Sequence, residues 1–153
     1  MKKFWGFLYF TLASFAAIAP VYFGPPQAFA QQQNSLYHRL GGYDAIAAVT
    51  DDFIDRLAGD AQLKRFFGGL SVDSEKRLGQ QVVDFLCHAT GGPCLYTGRD
   101  MKTAHTGLNI TEDDWNASVK DLIATLDKFK VADKEKNEVL GAISGLKSDI
   151  VGR

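Results

Sequence analysis

Metal binding or redox chemistry in this 153-residue chain could fall to His38, His88, His105, Cys87 and Cys94. His38 stands in the polar stretch Tyr37-His38-Arg39, where a histidine is expected to face solvent. His88 comes near the end of an apolar-periodic stretch, where a histidine suits the negative end of a helix dipole. His105 closes Met101-Lys102-Thr103-Ala104-His105, just before Gly107. By spacing alone, a lone histidine there reads more readily as structural than as a ligand. Two cysteines and one histidine at these spacings fit no zinc pattern. No Cys-x-x-Cys-His occurs, so the usual signature for covalent c-type haem attachment is excluded. In an oxidising compartment Cys87 and Cys94 are expected to form a disulfide; the other reading is one buried and one exposed thiol. Nucleophilic catalysis has little support: there is no Gly-x-Ser-x-Gly and no glycine-rich phosphate loop, and Asp51, Asp52 and Asp55 fall on a polar helix side.

The elements that must position these side chains read as helices throughout. Ile46, Val49, Phe53, Ile54 and Leu57 recur at helical spacing, as do Leu78, Val82, Phe85, Leu86 and Ala89. Trp115, Val119, Leu122, Ile123, Leu126 and Phe129 form a wide stripe, with Thr111 as cap and Asp114 as its capping-box partner. Val139, Leu140, Ile143, Leu146 and Ile150 follow a cap expected at Asp133, and Ser71 and Asp73 are candidate caps for the second stripe. The expectation is an all-α chain with main helices near 44–58, 74–89, 112–129 and 134–150, and a short one near 35–40. Between the second and third, Gly91-Gly92-Pro93 and Tyr96-Thr97-Gly98 predict a long loop. A loop of that length in so small a helical domain needs something to pack on, which hints at a bound group.

Composition narrows the setting. With 46% apolar residues, 23% charged residues and a formal net charge of -1, nothing points to nucleic acid. Lys2 and Lys3 precede an uncharged run from Phe4 to Gly24, then Pro25, Pro26 and Ala28-Phe29-Ala30. That order is the pattern of a secretory signal peptide over residues 1–30, cut after Ala30 and followed by a polar tail at 31–34. The expected location is therefore outside the cytoplasm, in a periplasm. The rival reading is an uncleaved anchor over residues 4–24, with membrane contact only in that case.

The ordered series Leu36-Tyr37, Leu40-Gly41-Gly42, Phe53, Phe66-Phe67, Gly91-Gly92-Pro93, Tyr96-Thr97-Gly98, Met101-Lys102, His105, Gly107 and Ile110-Thr111 resembles the group I truncated haemoglobins. The likeness runs from about Ser35 to Ile150. It implies a truncated globin domain over residues 35–153, a two-over-two helical sandwich around haem b (iron protoporphyrin IX). The loop near 91–104 then packs on the porphyrin in place of most of a proximal helix. By the family pattern His105 is the metal ligand, and Phe67 wedges against the haem face. Phe53, Leu78, Val82, Phe85, Met101, Leu122, Val139 and Ile143 fall where the family lines its pocket. Ordinary core packing for these eight is no conflict, because a haem pocket is a core with a cofactor in it.

The pattern is broken on the distal side. Many group I members carry a tyrosine directly after the residue matching Phe53, as a hydrogen-bond donor toward the gas; here it is Ile54. Many carry a glutamine where Val82 aligns, and this chain has Gln80 and Gln81 just before it. The loop before Leu78 looks a few residues longer than usual, so either Gln81 faces the iron or it is solvated. The expected distal pocket is Ile54, Leu78, Val82 and Gln81, largely apolar, with modest oxygen retention. No histidine aligns there, so bis-histidine iron is not expected. The resemblance implies binding of oxygen, nitric oxide or carbon monoxide, with an oxygen transport or storage role. The alternative is an enzyme, a nitric oxide dioxygenase or peroxidase-like protein, which would need an unidentified reductase because the chain has no flavin or nicotinamide module. A haem-free thiol protein built on Cys87 and Cys94 ranks last, since it leaves His105 unexplained.

Overall fold

The computed structural model describes residues 34–153, so the expected signal segment at 1–30 lies outside the described residues. The first three apolar stripes each become one helix, and the side chains of Ser35, Ser71, Asp100 and Thr111 accept amide groups that have no partner within the helices they start. Ser35 caps α1 (Leu36–Arg39), and two glycines with left-handed backbone, Gly41 (φ 99°) and Gly42 (φ 79°), turn the chain into α2 (Gly42–Gly59). A short 3₁₀ turn at Lys64–Phe66 leads to Ser71, whose hydroxyl accepts the Ser74 amide (3.3 Å) and starts α3 (Val72–Ala89). A five-residue helix, α4 (Met101–His105), interrupts the loop that follows. Thr111 and Asp114 form a reciprocal capping box at the head of α5 (Glu112–Lys128).

The last helix departs from the continuous 134–150 expected. It divides into α6 (Asp133–Ser144) and α7 (Lys147–Ile150). Gly141 and Gly145 each weaken helical backbone by about 1 kcal/mol relative to alanine. At the break the Leu146 amide bonds to Ile143 O (2.9 Å), tightening the turn and ending α6. Asp133 is the first helical residue rather than the cap, which is Ala132. From there its carboxylate meets Lys136 at 3.1 Å and favours the positive end of the helix dipole.

α2 lies between the other long helices and shares in two cores. On one side Ile46 joins Tyr37, Val83 and Cys87, uniting α1, α2 and α3. On the other, Val49 and Phe53 pack against Leu122, Leu126 and Val139, uniting α2 with α5 and α6. Helices α2 and α3 thus make one layer and α5 and α6 the other. α4 packs on α7, so the short helix carrying His105 rests on the far end of the chain.

Candidate functional site

Helical periodicity gives α3 two working faces. Gly79, Val83 and Cys87 turn toward α2: Val83 and Cys87 are buried, and a Cβ on Gly79 would stand 3.8 Å from Ile54 Cδ1. Gln81, Phe85 and His88 turn toward the loop. The Phe85 ring meets Tyr96 edge-on at 5.3 Å, and His88 Nδ1 lies 3.3 Å from the Cys94 carbonyl. A Cβ on Gly98 would meet Gln81 Oε1 and the Tyr96 hydroxyl, so the loop backbone at Gly98 lies against the Gln81 side chain. Gln81 therefore sits on the loop side of α3, away from the face that meets Ile54. Leu78, Val82 and Phe85 share one strip of α3 at i, i+4, i+7 spacing and are half-buried.

His105 is set by local hydrogen bonds. Asp100 caps α4, accepting from the Thr103 amide (2.8 Å) and hydroxyl (2.9 Å), and these bonds hold its carboxyl below the usual range. One turn later His105 Nδ1 lies 2.7 Å from Met101 O. A carbonyl only accepts, so Nδ1 carries the proton and the Nε2 lone pair is left for a metal. Downstream, the Asn109 amide bonds to Arg153 O (2.8 Å) and the Gly152 amide to Ile110 O (2.9 Å), pinning the segment after His105.

Phe67 ends the 3₁₀ turn and is half-buried. Its approach is anchored by Asp114, which is 1% exposed and accepts from Gln62 Nε2 (2.9 Å) and Arg65 Nη2 (2.6 Å). Burial would raise the Asp114 carboxyl, but donors from Thr111, Gln62 and Arg65 outweigh it and hold the group at about 2.

The expected pocket residues therefore fall into three groups. Phe53, Leu122, Val139 and Ile143 belong to one core cluster, in which Leu122 and Val139 are buried. Leu78, Val82 and Phe85 share a strip of α3, while Phe67, Met101 and His105 sit half-buried on the connecting segments. Sequence reasoning did not single out Asp100, although Asp100-x-x-Thr103 is a readable cap pattern. It also gave Asp114 only its capping role. The structure further joins Cys87 to Cys94 in a disulfide.

These residues fit a haem. A flat apolar group suits the half-buried strip, and an iron already held by a porphyrin needs from the protein only an imidazole such as His105 offers. Among the described residues, no three His, Cys, Asp or Glu side chains converge to hold a bare metal ion.

A family model described as Bacterial-like globin matches residues 35–151. A group 1 truncated haemoglobin from Tetrahymena pyriformis is 32% identical over 119 residues, covering 78% of this chain and 96% of that protein. The chain belongs to the group I truncated haemoglobins. Another member, from Mycolicibacterium paratuberculosis, is 36% identical over 116 residues, covering 76% of this chain and 83% of its own length. Among solved structures, the Fe(III) form of the Tetrahymena pyriformis truncated haemoglobin superposes with a TM-score of 0.72 at 31% identity, covering 78% of this chain and 99% of that one. The 2/2 haemoglobin of Synechococcus sp. PCC 7002, solved in the cyanomet state with covalently attached haem, gives a TM-score of 0.70 at 26% identity over the same shares. This truncated haemoglobin thus has the two-over-two globin fold and is a haem globin that binds a small gas.

Proposed function

We propose that His105 is the proximal ligand of a non-covalent b-type haem at which this chain takes up oxygen or nitric oxide, in a transport- or storage-like role. The observation that carries the reading is the 2.7 Å bond from His105 Nδ1 to Met101 O, which fixes the tautomer and leaves Nε2 for iron. When bound, the haem supplies reversible coordination of a diatomic gas. The chain's own residues orient the imidazole through Met101 O, cover the porphyrin with Phe67, Phe85 and Met101, and keep water from the gas side with Ile54, Leu78 and Val82. Ile54 offers no hydrogen-bond donor, so oxygen is held only modestly. Residues 1–30 direct export, and N-terminal sequencing of the mature protein should then begin at Gln31.

The test is His105→Gly with added imidazole. The variant should lose the Soret band of the wild-type protein and regain it when imidazole fills the space. A variant that keeps the wild-type spectrum without imidazole would overturn the assignment of His105.

A further inference from the structure

The two ends of the Cys87–Cys94 disulfide differ in burial. Cys87 is fully buried on α3 beside Tyr37, Ile46 and Val83. Its neighbourhood is secured independently of the disulfide. The Gly92 amide bonds to Cys87 O (2.8 Å), the Tyr37 amide to Thr90 O (2.8 Å), and the Thr90 hydroxyl to Leu86 O (2.6 Å). A Cβ on Gly92 would stand 2.7 Å from Cys87 Sγ, so backbone crosses directly over the buried sulfur.

Cys94 is half-buried at the edge of the same cluster, and the loop beyond it is held more lightly. Besides the disulfide, it meets α3 through the His88–Cys94 O bond at 3.3 Å, the edge-on Phe85–Tyr96 contact and the approach of Gly98 to the Gln81 side chain. The Tyr96 hydroxyl spends its hydrogen bond within the loop, on Arg99 O (2.5 Å), and Leu95 is 77% exposed. Arg99 runs straight into Asp100, the cap of the helix that ends at His105. The disulfide thus ties the buried end of α3 to the lightly held approach to His105.

We propose that Cys87–Cys94 is a positioning cross-link of the haem site: it holds the Cys94–Arg99 loop against Phe85, sets how long the haem is retained, and is released by a dithiol reductant. The inference rests on the reading that haem lies against Phe85 and His105. Release begins at Cys94, because Cys87 is shielded. A thiolate of the reductant attacks Cys94 Sγ, the disulfide bond breaks, and its electron pair leaves on the Cys87 sulfur, which takes up a proton. The second thiol of the reductant, as its thiolate, then displaces the Cys94 sulfur, which takes up a proton in turn. The protein gains two thiols, and the reductant leaves as a cyclic disulfide. Because the α3 terminus keeps its own hydrogen bonds, loosening is confined to the loop and the segment it leads to.

The experiment measures transfer of ferric haem to excess apomyoglobin at 25 °C. It compares the oxidised protein, the same protein after dithiol reduction and removal of reductant without air, and a Cys87→Ala/Cys94→Ala double variant. A core variant, Ile46→Val or Ile46→Ala, whichever matches the reduced protein in thermal midpoint, serves as control. Haem loss should rise about 10-fold on reduction and in the double variant, with helix content unchanged, no reductant response in the double variant and no rise in the matched control. Equal loss from oxidised and reduced protein would overturn the proposal. A matching rise in the Ile46 control would also overturn it, by showing general destabilisation. A Soret band that survives in the His105 variant would instead overturn the haem-ligand assignment, so the two failures are distinguishable.

Discussion

The frame of α2, α3 and α5 and the segment from Gly91 to Ile110 are built by different means. In the frame, buried side chains interlock and acidic groups act as hubs. Asp52 accepts from Lys128, from Arg56 (2.8 Å) and from Thr125 (2.9 Å), joining α2 to α5. Asp114 joins the Phe67 approach to the head of α5. The Gly91–Ile110 segment relies on a disulfide, the Gly92–Cys87 O and His88–Cys94 O bonds, an aromatic edge, a short capped helix and two backbone bonds near the C-terminal end. On the proposed haem site, stability falls to the frame and the holding of the cofactor to the segment and the strip it covers, with Ile54 of α2 reaching the gas side.

The largest expected effect is Asp114→Ala. It removes the acceptor for the Thr111 amide (2.9 Å), the Thr111 hydroxyl (2.8 Å), Gln62 and Arg65 together. Charge-assisted bonds and a helix cap together should cost about 3 kcal/mol, read from urea unfolding. A loss below about 1 kcal/mol would break the claim that this hub secures the frame. The same hubs set the acid response. Asp114 and Asp52 are both lowered from 3.8 to about 2, Asp52 chiefly by Lys128 and Arg56. Depressed folded values mean that their stabilisation is complete above the ordinary carboxylate range. It drains away as pH falls from about 4 to about 2, and the urea midpoint should fall with it.

Next comes Ile54→Tyr, which probes gas handling on the face that meets Gly79. A hydroxyl donor toward the gas should slow oxygen release by about 10- to 100-fold, equivalent to about 1.4–2.8 kcal/mol, with carbon monoxide release changing much less. Unchanged oxygen release in stopped-flow measurements would show that Ile54 does not face the gas. The smallest effect is Asp100→Ala. Loss of this cap should cost about 1 kcal/mol and shift the thermal midpoint by only a few degrees, yet haem transfer should quicken, because α4 is one turn long. A large thermal shift with unaltered haem transfer would reverse the division of labour.

Much of this was legible in the residue pattern because it is local. Apolar stripes at helical spacing gave the long helices, and Ser71 and the Thr111–Asp114 box marked two of their starts. The break at Gly145 was missed because Leu146 and Ile150 keep the apolar period across it. Asp114 could not be read as a hub, since Gln62 and Arg65 lie 52 and 49 residues away in sequence. Gln81 was ambiguous for a similar reason: only the approach of Gly98 and Tyr96 decides which side of α3 it takes. His105 gained meaning from its place in an ordered series of loop residues, while its tautomer came from the fold of α4.

The most direct test of the central claim is resonance Raman spectroscopy of the ferrous, gas-free protein. With His105 as the iron ligand, the wild type should show an iron–histidine stretching band that persists in His38→Ala and His88→Ala and vanishes in His105→Ala. A band that survives in His105→Ala, or that disappears in either of the other variants, would contradict it.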